Sequence, residues 1–387
     1  MSQLQANWSY PSSIRTGAGR LKELPQVCLQ LGMQAPLLVT DPGLVGRSMV
    51  QDALELCRGA GLQVELFSDV QGNPTLKNVE DGVFTYRAGK HDGVIAFGGG
   101  SALDAAKAVA LMSGQDCSLW NFEDVGGSGK RIEGTEVAPI VALPTTAGTG
   151  SEVSRAAVIT DKIKHRKRII FHPDMLPAVV ILDPKLTIGL PSDITAATGM
   201  DALSHNLEAF CSPLYHPIAD GIAVEGIRLV KDYLGRAVED GNDLEARTQM
   251  LVASSMGATA FQKGLGGTHA LAHPLGGLYN AHHGLLNAIL MPYVLQANRQ
   301  AIEGRIERLA RYLNLPNPGF DSFLRWVVEL RDELGIPHSL ASIDIDDSAA
   351  EKIGKMAAMD LSAGSNPILF DAQEYATIFK DAVRGRL

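Results

Sequence analysis

From residue 36 to residue 184 the chain repeats one pattern: a short apolar run of β-type residues, then a segment with helical spacing. PLLVT (36–40) precedes the helix-compatible GLVGRSMVQDALELCRGAG, and QVELF (63–67) precedes NPTLKNVEDGVFTYRAG. GVIAF (93–97) precedes SALDAAKAVALM, and PIVAL (139–143) and AVVILDP (178–184) follow. Strands that alternate with helices are joined by crossovers, and crossovers make neighbouring strands parallel. The pattern predicts a doubly wound α/β unit. From about Pro191 the spacing turns helical almost throughout, with no convincing strand. At 387 residues the chain exceeds one compact core. Two domains are expected, an α/β domain with a parallel sheet over residues 1–190 and an all-α domain over 191–387.

Two loops of the first half suit a phosphate-bearing ligand. Gly98-Gly99-Gly100-Ser101 lies between a predicted strand and a predicted helix, where small residues let a ligand approach free N–H groups at a positive dipole end. The spacing is not GxGxxG, and the alternative reading is a tight turn that binds nothing. Thr145 to Glu152, TTAGTGSE, follows another strand, and open α/β sheets bind ligands at such carboxyl ends. Asp41, in TDPG, suits a ribose hydroxyl and repels a 2′-phosphate, although the same residues make an Asp-Pro-Gly turn. Lys167, in KHRKRII, reads either as a counter-charge to a pyrophosphate or as part of a solvated basic run.

The second half carries the metal chemistry. GMDALSHNLEA sets Asp201 and His205 four apart, on one helix face. Alone, that spacing is usually an exposed carboxylate–imidazole pair. Four of the chain's ten histidines, however, fall in GGTHALAHPLGGLYNAHHG: His269, His273, His282 and His283. His269 and His273 are also four apart, whereas His282 and His283 are expected beyond a bend at Pro274 and Gly276-Gly277. One carboxylate with two or three imidazoles suits Fe(II) or Zn(II). Spacing leaves open which histidines ligate; His269 with His273 is the simplest helical clip.

Other features exclude whole classes of partner. A net charge of -9 argues against a nucleic-acid or anionic-membrane surface. The polar N-terminus shows no leader peptide, and no run approaches the length of a membrane helix. Cys28, Cys57, Cys117 and Cys211 form no CxxC pair, which suits a reducing cytoplasm.

GGGSALDAAKAVA, PTTAGTGSEVSRAAVITD, LPSDITAATGMDALSHNLEAF and HALAHPLGGLYNAHHGLLNAILMP, in this order, resemble the iron-dependent (group III) alcohol dehydrogenase family, which includes lactaldehyde reductases. AAMDLSAGSNP is a weaker echo. The resemblance runs nearly end to end. It implies a dehydroquinate synthase-like architecture, with an NAD-binding α/β domain followed by a helical metal-binding domain. Carried over by motif, the metal ligands are Asp201, His205, His269 and His283. His273 lies near the reactive centre without ligating and is the candidate catalytic residue, and His282 is a bystander. The implied cofactor positions are Asp41, Asn73, Gly99, Gly100, Ser101, Asp104, Thr145, Thr146, Thr149 and Lys167, with Asp41 favouring NAD over NADP. Two departures leave the substrate open: Asn366-Pro367-Ile368 where relatives carry NPR, and Ser362 where several lactaldehyde reductases place a Cys.

The implied activity is hydride transfer between NAD(H) and a small primary or secondary alcohol or its carbonyl partner, assisted by Fe(II), with Zn(II) possible. A homodimer or larger homo-oligomer is expected. The rival readings are a zinc-dependent polyol dehydrogenase, a metal-dependent hydrolase and a non-catalytic metal-binding protein.

Overall fold

The computed structural model describes residues 12–124, 136–164 and 166–387. The leaderless reading of the N-terminus rests mostly on residues 1–11, outside the described residues. Two compact units divide these residues at Pro191.

Among the described residues the first unit holds eight strands and four α-helices. In chain order they are β1 (Ser13–Thr16), α1 (Leu24–Gln30), β2 (Pro36–Val39), α2 (Ser48–Gly59), β3 (Glu65–Phe67), α3 (Leu76–Ala88), β4 (Gly93–Gly98) and α4 (Gly100–Met112). β5 (Ile140–Pro144), β6 (Ala156–Asp161), β7 (Arg166–Phe171) and β8 (Val179–Leu182) complete it. Six strands make one parallel sheet in the order β1-β8-β5-β4-β2-β3. β2, β4, β5 and β8 are buried along their whole length. That is why their sequences read as unbroken apolar runs: helices cover both faces. Leu38, Ile95, Phe97, Val141, Leu143 and Ile181 pack with Val27 and Cys28 of α1 and Val50, Leu54 and Cys57 of α2.

From β2 the chain runs outward to β3, then returns to β4 on the other side of β2. The β2–β4 boundary is therefore the switch point where connections diverge and ligands of such sheets bind. Asp41 follows β2, and Gly99 and Gly100 follow β4, so both flank it.

Three strands escaped the sequence reading. β1 joins the edge beside β8 and is exposed at three of its four residues, so it shows no apolar run. β6 and β7 form an antiparallel ribbon that pairs Thr160 with Lys167 and Asp161 with Arg166. The basic run expected to be solvated is thus largely strand. Arg168 is buried within it, 3.2 Å from Asp161, paired with Glu123 and stacked 4.2 Å above the Trp120 ring.

The second unit is helical throughout its described residues: α5 (Ser192–Cys211), α6 (Pro217–Glu239), α7 (Leu244–Ala260), α8 (Gly267–Tyr279), α9 (His283–Tyr312), α10 (Phe320–Glu333), α11 (Ala350–Ala358) and α12 (Ala372–Arg384), with short 3-10 turns. α5 is its axis. Every residue from Thr195 to Cys211 is buried, the mark of a helix surrounded by others. Pro274 and Gly276-Gly277 do not break the chain as expected; all three lie inside α8. The break falls at Asn280, whose φ of +51° is the left-handed conformation that Asn tolerates. His282 then caps α9 by accepting from Leu285 N–H (3.3 Å), a structural task for a residue read as a bystander.

Four cysteines are free thiols. No helix among the described residues is long and apolar enough to cross a membrane.

Candidate functional site

In the helical unit three helices each contribute a pair of side chains four positions apart. α5 supplies Asp201 and His205, α8 supplies His269 and His273, and α9 supplies His283 and Asn287. The approach of α9 to α5 depends on Gly284. A Cβ there would stand 2.4 Å from the Ala197 carbonyl oxygen, so only glycine lets His283 reach Asp201.

Five side chains converge. Asp201 Oδ1 lies 3.9 Å from His205 Nε2, 4.0 Å from His269 Nε2 and 3.8 Å from His283 Nε2. Ligand atoms of Asp201, His205 and His269 all lie within 4.8 Å of one another. Asp201, His205 and His269 are buried; His283 keeps a quarter of its side chain exposed. The His205 and His269 rings stack with centroids 4.8 Å apart, and Phe261 closes the far edge of His205 at 5.2 Å.

These residues fit a divalent cation. Tetrahedral bonds of about 2.1 Å set neighbouring ligand atoms about 3.4 Å apart. The spacings from Asp201 to the three imidazoles exceed that by about half an ångström. The Asn287 amide nitrogen sits among three of these atoms, 2.7 Å from Asp201 Oδ1, 3.1 Å from His269 Nε2 and 3.3 Å from His283 Nε2. An amide has two hydrogens, so it cannot fully satisfy three acceptors. Its own Oδ1 is buried with no hydrogen-bond partner. Lone pairs crowded around one point, with a carbonyl oxygen left over, are the donor set of a cation. The local field agrees. Burial pushes His269 towards its neutral form, yet the charge and hydrogen bond of Glu208, with Asp201 and Asp360, hold its pKa above the ordinary value.

The His273 ring lies 5.8 Å from that of His269, its partner in the helical pair. Its Nδ1 lies 2.9 Å from Asp360 Oδ2, and its ring stacks on His283 at 5.6 Å, 8° from parallel. Burial pushes the Asp360 carboxyl up, but the charge and hydrogen bond of His273, with contacts to Ser362, hold it below the usual carboxylate range. Asp360 was missed as a partner: it belongs to the weak AAMDLSAGSNP echo, and nothing local in that segment says which histidine it meets. Ser362 is buried, and its N–H donates to Asp360 Oδ1 at 2.8 Å.

In the first unit, Gly99 caps α4 and Gly100 opens it. The two expected loops lie against each other. A Cβ on Gly100 would stand 2.6 Å from Thr149 Cγ2, and one on Gly99 3.4 Å from Thr146 Cγ2. Thr145 is buried and donates its N–H to the Gly98 carbonyl at 2.9 Å. Ser101 Oγ accepts from the N–H of Asn73, a residue held at φ +56°. Asp41 Oδ1 accepts from Gly43 N–H at 2.9 Å, so the Asp-Pro-Gly turn forms. Lys167 is half-buried on β7.

Asp104, expected among the cofactor contacts, has both carboxylate oxygens engaged inside the unit. Oδ1 accepts from Ser151 Oγ–H (2.5 Å) and pairs with Lys107 at 3.2 Å; Oδ2 accepts from Val158 N–H (2.9 Å). Lys107 is fully buried and also donates to the carbonyls of Ser151 and Ala156. Together they fasten the TTAGTGSE loop and β6 to α4.

A doubly wound α/β unit with a glycine-rich helix start, followed by a helical unit with a buried carboxylate–imidazole cluster, defines a class: metal-dependent oxidoreductases that use a dinucleotide. Comparison with known proteins narrows it. Residues 11–184 match the model for iron-containing alcohol dehydrogenases, and residues 195–383 match the C-terminal model of the Fe-containing alcohol dehydrogenase family. The chain is 38% identical over 384 residues to a 4-hydroxybutyrate dehydrogenase of Cupriavidus necator, covering 97% of this chain and 99% of that protein. It is 34% identical to an NAD-dependent methanol dehydrogenase of Bacillus methanolicus, covering 97% and 100%. Among solved structures, a 1,3-propanediol oxidoreductase superposes with a TM-score of 0.93 at 34% identity, covering 98% and 100%. The chain belongs to the iron-containing alcohol dehydrogenase family. It is an oxidoreductase that interconverts an alcohol and its carbonyl compound by hydride transfer with NAD(H), and the hydrolase and non-catalytic readings fall away.

Proposed function

We propose that the substrate is a short, unbranched primary alcohol or its aldehyde, and that Asp201, His205, His269 and His283 hold the iron. The observation that carries the metal assignment is the convergence of three imidazole Nε2 atoms at 3.8–4.0 Å from one carboxylate oxygen. A primary alcohol is supported by relatives named for 4-hydroxybutyrate, methanol and 1,3-propanediol, while another, at 38% identity, is named for long-chain alcohols.

Bound at this site, Fe(II) supplies Lewis acidity towards the alcohol oxygen, while NAD(H) accepts or donates the hydride. One carboxylate and three neutral imidazoles cancel half of a divalent charge, leaving the rest to favour the ionised alcohol. Asp201 is the only carboxylate in that set. The first turn of α4 offers free N–H groups to the dinucleotide pyrophosphate, with Gly99 and Gly100 keeping the approach clear. Asp41 takes the ribose hydroxyls, favouring NAD over NADP.

His273 is the catalytic residue in this reading. Ionised Asp360 accepts its Nδ1–H, so Nε2 carries the lone pair and receives the alcohol's proton. His273→Ala is expected to lower kcat by about 10²- to 10⁴-fold, the usual worth of a general acid–base group. Bound iron per chain should stay at the wild-type level. A loss of iron equal to that of a ligand variant would make His273 a ligand instead.

The chain is proposed to work in the cytoplasm as a homodimer or larger homo-oligomer. The substrate assignment is tested by following NADH absorbance with linear primary alcohols, branched secondary alcohols, glycerol and the matching carbonyl compounds. Fe(II) and Zn(II) are added separately to metal-free protein. Linear primary alcohols with Fe(II) should give the highest kcat/KM. Preference for glycerol with Zn(II) would support the polyol dehydrogenase reading.

A further inference from the structure

Glu208 is a buried carboxylate that neither hydride nor proton transfer uses. It stands three positions after His205 on α5 and reaches the start of α8. Its Oε2 lies 2.6 Å from His269 Nδ1 and accepts from Gly266 N–H at 2.9 Å; Oε1 accepts from Thr268 N–H at 2.6 Å. All three partners belong to the first turn of α8 or the residue before it. Both of its oxygens accept from backbone N–H groups, which can only donate, so the carboxyl also meets Nδ1 as an acceptor.

Nδ1 of His269 must therefore carry a hydrogen, which leaves the Nε2 lone pair on the side of Asp201, 4.0 Å away. The same carboxylate fixes the backbone from which that imidazole hangs. We propose that Glu208 is the positioning residue of the metal centre: it selects the ligating tautomer of His269 and locks the start of α8, so that metal affinity depends on a side chain that never touches the metal. The proposal rests on His269 being a ligand.

Glutamine keeps the size of Glu208 but has one acceptor oxygen for three donors; when that oxygen takes the Thr268 N–H, the amide offers N–H₂ to Nδ1. The imidazole then answers with its other tautomer, placing Nε2–H where the metal needs a lone pair. The test compares Glu208→Gln, Glu208→Asp, Asn366→Ala and His269→Ala in the full-length, metal-free protein. Asn366 is the control, because its Oδ1 accepts from Gly267 N–H (2.8 Å) at the same helix start without touching His269. Affinity for Co(II) is read by competition with a chromophoric chelator, alongside the visible Co(II) spectrum and the melting temperature.

Glu208→Gln is expected to weaken Co(II) binding about 10- to 100-fold, the usual cost of losing a carboxylate that orients a ligating histidine. Its Co(II) spectrum should change, and Glu208→Asp should recover part of the affinity. Asn366→Ala should lower the melting temperature and leave the affinity unchanged. Unchanged affinity in Glu208→Gln, or an equal loss in Asn366→Ala, overturns the proposal and reduces Glu208 to a helix cap. Wild-type affinity in His269→Ala overturns the ligand assignment itself, a separate failure.

Discussion

Asp201→Ala is expected to abolish iron binding and to lower kcat/KM by roughly 10³-fold or more, since Lewis-acid stabilisation supplies several kcal/mol. Asp201 carries the one oxygen that all three imidazoles face and is the only negative charge among the four proposed ligands. Without it, three neutral imidazoles remain, and the Asn287 amide loses its shortest contact, 2.7 Å. NADH binding should be preserved, because the loops proposed to take the dinucleotide lie in the other unit. The measurements are iron per chain by elemental analysis of anaerobically purified protein, NADH affinity by fluorescence, and turnover with added Fe(II). Wild-type turnover in iron-free buffer would refute the metal assignment.

The second large effect is expected at Gly100. A Cβ there meets Thr149 Cγ2 at 2.6 Å and Oγ1 at 2.9 Å, closer than real side chains come. Gly100→Ala must push the TTAGTGSE loop away from the start of α4. Overpacking of this kind costs about 1–3 kcal/mol. If the displacement falls on the cofactor loop, NADH binding weakens roughly 5- to 150-fold. Thr149→Ala removes the two nearest atoms, so the double variant should regain part of the affinity. Iron content should not change in either. Wild-type NADH affinity in Gly100→Ala would show that the junction of the two loops does not hold the cofactor.

Glu208 and Asp201 lie on one stripe of α5 and illustrate two uses of a buried carboxylate. In the proposed site one faces the cation directly. The other holds an imidazole that does so, and loses its burial penalty to three hydrogen bonds.

Much of this was legible in the residues alone. Strands buried on both faces are apolar at every position, so β2, β4, β5 and β8 announced themselves, and their alternation with helices required a parallel sheet. Residues four apart on a helix share a face whatever the tertiary structure, so the Asp201–His205 pair was visible. β1 was hidden because an exposed edge strand has no apolar pattern, and β7 because basic side chains interrupt its pattern.

Which histidines join Asp201 was not legible from spacing; the family resemblance pointed to His269 and His283. Local periodicity fixes what shares a helix face, but it cannot say which helices touch. Packing brings these side chains together: Gly284 lets α9 approach α5, Glu208 pins the start of α8, and Asp360 hydrogen-bonds His273. Such contacts join residues some sixty to ninety positions apart, and only the folded chain brings them together.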